Sequence, residues 1–403
     1  MKTKILTAMS AVAVACMMVL MATPTAKISG ANDDKINVFD EFVAEFTDRE
    51  VIVFSDDKFV NEVRCALIDS TSNINSSVSK APVKNTIALI DESWLTGANN
   101  ERPSANQIKN MLDIGAVLIF VKGDSYLYED SGIELSNRSP PPKGSVAYGI
   151  YQGSSGVTYA YGCGEGMDIK DALSRSYAWA DDVIAMDLEC SKEKESQGRG
   201  HAGIYWELAY NVQYSYLCSD KGHLNASTSY YKLKNWNDGY TYYGIKHSQS
   251  AVPKSGTNYR VADIYLNNTI PYWHQIKDAK PVTTSGTSTS ISFSMFDPSV
   301  TATVGWSYAI NDVKVINTSN DSTKKINIWH DVDENKNVGL AYTSYPGVEI
   351  RVANTVDNGS LNIMDDYGVQ FGKKYDKYIL GIYYGTGWCF YKYGFSIAAY
   401  ISN

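Results

Sequence analysis

Pro281–Val315, PVTTSGTSTSISFSMFDPSVTATVGWSYAINDVKV, carries the pattern that decides how the second half of the chain is read. Ile291, Phe293 and Met295 alternate with Ser290, Ser292 and Ser294, the period-2 signature of a strand with one apolar and one polar face. Asp297-Pro298-Ser299 supplies a turn. The returning arm sets Val300, Ala302, Val304 and Trp306 against Thr301, Thr303, Gly305 and Ser307, so a hairpin is predicted. Before Ile291 the first arm is almost all Ser, Thr and Gly, which leaves little apolar surface to hold it on a core. The arms are about as long as a membrane-crossing strand, roughly 9–11 residues. Two readings follow: an amphipathic hairpin packed on a soluble β-sandwich, or a strand pair that leaves its sandwich to join a barrel in a membrane.

Outward from this stretch, the N-terminus reads as a targeting segment. Lys2 and Lys4 precede an apolar run from Ile5 to Met21, with Ser29 and Ala31 placed for cleavage, so residues 1–31 are expected to be a signal peptide and the protein to be secreted. Without that segment 33 basic residues face 44 acidic ones, a net charge of −11 against −8 for the whole chain. Such acidity disfavours nucleic acid as a partner. The 30 tyrosines and 8 tryptophans suit β-structure and a contact surface and argue against disorder.

Beyond the signal peptide stand Cys65, Cys163, Cys190, Cys218 and Cys389. An odd set in a secreted chain implies two disulfides among Cys163, Cys190, Cys218 and Cys389, with Cys65 spare because it sits in an apolar helical stretch of a separate domain. The three possible connectivities stay open. Sequons at Asn75, Asn137, Asn225, Asn267, Asn317, Asn320 and Asn358 agree with an extracellular glycoprotein.

Residues 32–139 are expected to form a small parallel-sheet α/β domain. Short apolar runs at Val51–Phe54, Thr86–Ile90 and Ala116–Val121 alternate with helical patterns around Val38–Phe46, Phe59–Leu67 and Ser104–Leu112, which implies strands covered on both faces. The strand ends carry Asp56 and Asp57, Asp91 and Glu92, then Lys122 and Asp124. That order superficially resembles a response-regulator receiver, but the chain is too short for five strands. A glutamine-amidotransferase shape fits better, yet no nucleophile elbow is present. A binding or structural domain is therefore expected, with the acids as solvated loop residues.

Pro140-Pro141-Pro142 stops both helix and sheet and marks a boundary. Residues 140–200 then read as a Pro-rich linker, a strand pair turning at 153–156, and a helix from Asp168 to about Glu189 followed by a charged loop at 191–200. Residues 201–403 read as a larger antiparallel β-sandwich, beginning with alternating Trp206–Leu217. Trp236, Tyr240, Tyr242 and Tyr243 crowd one loop, which would suit a lipid headgroup layer, a glycan, or simply cover for a sandwich edge. Residues 331–337, DVDENKN, open like a calcium loop, but Lys336 stands where an EF-hand needs Gly, so a plain turn is expected.

None of the five histidines stands in HExxH, and no phosphate loop, GxSxG or dinucleotide fingerprint occurs. No enzyme, metal or cofactor is expected. The stretch from about Tyr230 to Val332, about a quarter of the chain, resembles the leukocidin and α-haemolysin family of β-barrel pore-forming toxins. The elements that carry the resemblance are the Ser/Thr/Gly-rich hairpin at 283–307, then Tyr308-Ala309-Ile310-Asn311-Asp312-Val313-Lys314, then Ile328-Trp329. It implies a β-sandwich cap, an aromatic rim that touches lipid, and a homo-oligomer that inserts Ile291, Phe293, Met295, Val300, Ala302 and Val304 against membrane lipid, with a cell-surface receptor as the other possible target. The α/β domain is foreign to that family, and Tyr378–Ser402 departs from its usual ending. The leading reading is a secreted, membrane-binding pore former. The alternatives are a non-enzymatic surface module for glycan or protein and, third, a hydrolase at Asp56, Asp91 and Glu92.

Overall fold

Strands with no polar position need cover on both sides, and Val51–Phe54 and Val117–Val121 receive it, buried at every position. In the computed structural model β1 (Val51–Phe54), β2 (Ile74–Ser76), β3 (Ile87–Asp91) and β4 (Val117–Val121) run parallel in the order β4-β3-β1-β2. The structure describes residues 51–54, 74–76, 84–91, 105–121, 137–142, 144–196, 204–284, 289–295, 304–310, 313–332 and 341–403, all within one compact unit, 43–403. The expected helices near 38–46 and 59–67, and Asp56, Asp57, Glu92, Lys122, Asp124 and Cys65, lie outside the described residues.

Alternation sorts the apolar side chains between two layers. Ile52, Phe54, Ala88, Ile90, Leu118 and Phe120 share one core with Ile108, Met111 and Leu112 of helix α1 (Ala105–Asp113). Val51, Val53, Ile87, Leu89, Val117 and Ile119 lie with Leu173, Tyr177, Val183 and Ile184 of helix α2 (Ile169–Ser196). Gly115, at φ 84°, ends α1 in a Schellman turn: its N–H bonds Leu112 O at 2.8 Å and the next N–H bonds Met111 O at 3.0 Å.

β5 (Asn137–Arg138) pairs with the C-terminal strand of a second sheet, and Pro140–Pro142 then carries the chain to β6 (Ala147–Gln152) in the first. The triple proline thus lies where the chain changes sheets. β7 (Thr158–Cys163) is buried at every position and pairs β6 on one side and, in parallel, β8 (Tyr205–Leu217) on the other. This seam joins the α/β strands and the sandwich strands in one hydrogen-bonded sheet. α2 starts at Asp168, whose Oδ1 accepts from Lys170 N–H at 2.8 Å. It runs to Ser196 and takes in part of the expected loop, because Lys and Glu are good helix formers.

The first sheet continues through β9 (Gly222–Lys234), β10 (Tyr240–Pro253), β12 (His274–Lys280), β17 (Tyr342–Ser344) and β18 (Gly347–Ala353), in the order β12-β18-β10-β9-β8-β7-β6-β4-β3-β1-β2 with β17 beside β10. A second, antiparallel sheet is built from β11 (Tyr259–Thr269), β15 (Val313–Asn317), β16 (Lys325–Val332), β19 (Leu361–Ile379) and β20 (Ile382–Ile401), in the order β15-β16-β11-β19-β20-β5. Their facing sides form one core, with Tyr230, Tyr243, Ile245 and Ile350 from the first sheet and Val261, Ile264, Leu266, Ile328, Tyr367, Val369 and Phe371 from the second. The expected combination of α/β and all-β architecture is therefore present. One strand is corrected in detail: a bulge between Leu208 and Tyr210 moves Leu208 to the α2 side while Tyr210, Val212 and Tyr214 face the sandwich core.

Candidate functional site

The predicted hairpin forms, as β13 (Thr289–Met295) and β14 (Val304–Ile310). Its antiparallel register pairs Ile291 with Tyr308, Phe293 with Trp306 and Met295 with Val304, and sets Ser292 opposite Ser307 and Ser294 opposite Gly305. The register therefore matches the apolar positions of one arm with those of the other. Val300 and Ala302 lie outside the described residues. Among the described residues this ribbon is a two-stranded sheet of its own, hydrogen-bonded to neither large sheet.

The segment leading into it is held against β15 by Thr283, Thr284 and Asn317. Thr284 N–H bonds Val315 O at 3.0 Å, and Thr284 Oγ1 accepts from Val315 N–H at 3.2 Å. Thr283 Oγ1 accepts from Asn317 N–H at 3.0 Å, and the Asn317 amide donates to the carbonyls of Ala279 at 3.0 Å and Pro281 at 2.7 Å. Each bond of this kind contributes about 1 kcal/mol net. Among the described residues this root is tied to the sandwich by these replaceable bonds.

The aromatic loop is corrected. Tyr242 and Tyr243 are buried strand residues of β10, and Trp236 and Tyr240 pack half-buried with Leu233, Ile204 and Trp206. Tyr243 Oη donates to Gly359 O at 2.8 Å, Tyr242 Oη donates to Asp238 at 2.7 Å, and the Arg351 guanidinium lies 4.4 Å over the Tyr240 ring. Tyr242 and Tyr243 are therefore core residues, and Trp236 and Tyr240 are partly covered by their neighbours.

The cysteine expectation is corrected as well: Cys163, Cys218 and Cys389 are free thiols. Cys163 belongs to the core under α2, Cys218 to the core on the opposite side of the same sheet, and Cys389 is exposed on β20. Cys163 Sγ lies 3.7 Å from Ala172 O and 3.9 Å from Ser176 Oγ, and Cys190 is fourteen residues further along α2, about 21 Å away at 1.5 Å per residue. A disulfide needs Cα atoms within about 7 Å. Burial raises the Cys163 thiol to about 11 and the Cys218 thiol to about 12.

Two features escaped sequence reading. The first is a polar network inside the sandwich, where fully buried Asp365 accepts from Tyr230 Oη at 2.5 Å and from the Asn268 amide, and His247 Nδ1 lies 2.9 Å from Tyr367 Oη. Burial lifts the Asp365 carboxyl to about 7 and holds His247 down to about 3. The second is the length of the last hairpin. β11 accompanies β19 only as far as the Tyr259–Lys373 pair, and beyond it β19 and β20 continue as an exposed ribbon to a turn at Leu380-Gly381. The apolar run Tyr378-Ile379-Leu380-Gly381-Ile382-Tyr383-Tyr384 at a tight turn was the available signal.

Among the described residues no group of His, Cys, Asp and Glu could hold a metal ion, and no helix is long and apolar enough to cross a membrane. No protein-family model matches this sequence, and no curated protein matches it. Three solved structures to which it is distantly similar carry the following descriptions. The chain is similar to a pore forming protein at 10% identity and TM-score 0.32, over 48% of this chain and 90% of that one. It is similar to Clostridium perfringens delta-toxin at 9% identity and TM-score 0.29, over 46% and 88%. The third is the membrane-inserted form of the Clostridium perfringens NetB toxin, at 6% identity and TM-score 0.27, over 46% and 96%.

Proposed function

We propose that this chain is a secreted, non-enzymatic protein that binds membranes and assembles, through the β13–β14 hairpin, into a β-barrel pore. The observation that carries the proposal is the hairpin itself: an amphipathic ribbon in a sheet of its own, whose register pairs Phe293 with Trp306 and Ser292 with Ser307. A two-stranded ribbon is marginal alone in water, and barrel closure with other copies satisfies its edges. In the barrel Ile291, Phe293, Met295, Val300, Ala302 and Val304 face lipid, and Ser292, Ser294, Thr301 and Thr303 line water. Among the described residues, release of the root exchanges the Thr283, Thr284 and Asn317 bonds.

Dye release from liposomes, measured together with folding, tests this. A lysine on the lipid face near mid-bilayer costs roughly 2–4 kcal/mol, so Phe293→Lys should fold and lose leakage, whereas Ser292→Lys should keep leakage and shift ion selectivity. A wild type that permeabilises no liposome, with a Phe293→Lys chain that fails to fold, would mean that the hairpin is a packed structural element and sink the pore reading.

A further inference from the structure

The turn that ends the β19–β20 ribbon has residues that contradict its geometry. Leu380 (φ 49°) and Gly381 (φ 81°) both take left-handed backbone between the paired residues Ile379 and Ile382. This is the pattern of a type I′ turn, in which Asn-Gly or Asp-Gly is favoured because short polar side chains tolerate that backbone. Here the first position is leucine, 98% exposed, between isoleucines that are 57% and 73% exposed. Backbone preference and water both disfavour this choice, and such an apolar end marks a contact with something outside the chain.

From tip to base the residue types run in a fixed order. Ile379, Leu380 and Ile382 end the ribbon, and Tyr378 and Tyr383, ring centroids 5.9 Å apart, stand behind them with Tyr384, which a register shift leaves unpaired. Lys377, Lys374 and Lys373 follow, with Trp388 among them. Between 373 and 391 three lysines face one aspartate, a net +2 on a chain whose total is −8. Aliphatic, then tyrosine, then cation matches the sequence of environments from the acyl boundary outward through a headgroup layer to its phosphates. The opposite charge of the rest of the chain turns the molecule tip-first toward such a surface.

We infer that the tip of the β19–β20 ribbon docks this protein on a phospholipid surface bearing anionic headgroups. Ile379, Leu380 and Ile382 enter the acyl boundary, the three tyrosines lie at headgroup level, and Lys373, Lys374 and Lys377 meet phosphate. The ribbon does not itself cross the bilayer, since Lys373 and Lys377 occupy one register parity and Lys374 and Asp376 the other, so neither face is apolar over a crossing length. A second copy of the chain is a poorer occupant, because three aliphatic side chains on a narrow ribbon end fall well short of the roughly 1,000 Å² that a specific interface buries. The inference deepens the membrane reading proposed above but uses none of the β13–β14 hairpin, so the two can fail separately.

The test is co-sedimentation of the full chain with vesicles of phosphatidylcholine alone and of phosphatidylcholine with phosphatidylserine, with dye release followed in parallel. Leu380→Asn preserves the turn backbone, so it should keep or raise the thermal midpoint while binding to phosphatidylserine vesicles falls at least about tenfold. Lys374→Gln with Lys377→Gln should weaken binding to phosphatidylserine vesicles and leave phosphatidylcholine binding unchanged. Tyr272→Ser, which removes an 80% exposed ring beyond the far end of β11, should bind as wild type. Wild type that binds without releasing dye refutes the pore and supports the docking tip. The inference is overturned if wild type pellets with neither vesicle, if Leu380→Asn binds as wild type does, or if that variant only dissolves a dimer in sedimentation velocity.

Discussion

Replacing Asp365 by asparagine should change how stability depends on pH, with a sign set by burial. Burial pushes the Asp365 carboxyl up to about 7, the Tyr230 bond pulls against it, and the neighbouring Asp366 charge adds to the rise. In the unfolded chain an aspartate titrates near 3.9. Because the folded value is the higher one, the stability Asp365 contributes is fully present below about 3.9 and is lost as pH rises toward 7, after which the loss is constant. Between pH 5 and pH 8.5 the loss is about 3 kcal/mol, from roughly two units of differential proton binding at 1.36 kcal/mol each. The substituted asparagine has no proton to lose, accepts from Tyr230 Oη through its carbonyl, and removes that dependence.

The assay is urea unfolding of wild type and Asp365→Asn across this range, taking the difference in unfolding free energy at each pH. His247 and His330, held down to about 3 by burial, and His274, held down to about 4 by burial and the charge of Lys324, destabilise both proteins as pH falls below 6.5. Their contribution cancels in the difference. The variant should gain on wild type by about 3 kcal/mol from pH 5 to pH 8.5. A difference that stays flat with pH would falsify the account of Asp365 as a neutral, hydrogen-bonded group at the centre of the sandwich.

Gly149→Ala should destabilise by about 1–3 kcal/mol, because a Cβ there runs into the Trp179 ring that stacks on Tyr161 at 5.6 Å between centroids. An unchanged denaturation midpoint would contradict that packing. Cys389 should react with a thiol reagent in the native protein, and Cys163 and Cys218 only after unfolding, as read by peptide mass mapping without reductant. Any disulfide joining two of these three residues would refute the placement of the thiols on separate surfaces.

What was legible in the sequence was local. Uninterrupted Val51–Phe54 and Val117–Val121 became doubly covered parallel strands, and serine alternating with Ile291, Phe293 and Met295 became a paired ribbon in a register that matches apolar with apolar. Asp168 capped its helix where expected. These outcomes depend on the period of side chains along one element and on groups within one or two residues of each other, so the order of residues determines them.

The tertiary structure decided everything that depends on which element lies beside which. Cys163 and Cys218 look equally available in the sequence, but pairing β7 with β8 puts them on opposite faces of one sheet. Tyr242 and Tyr243 look like a contact surface until β10 is placed between β9 and β18 and buries them, whereas Leu380 is left exposed because β11 stops at Tyr259 and leaves the ribbon bare. Exposure is a property of the neighbours a strand acquires from distant parts of the chain, and an apolar residue reads the same in sequence whether that neighbour is present or absent.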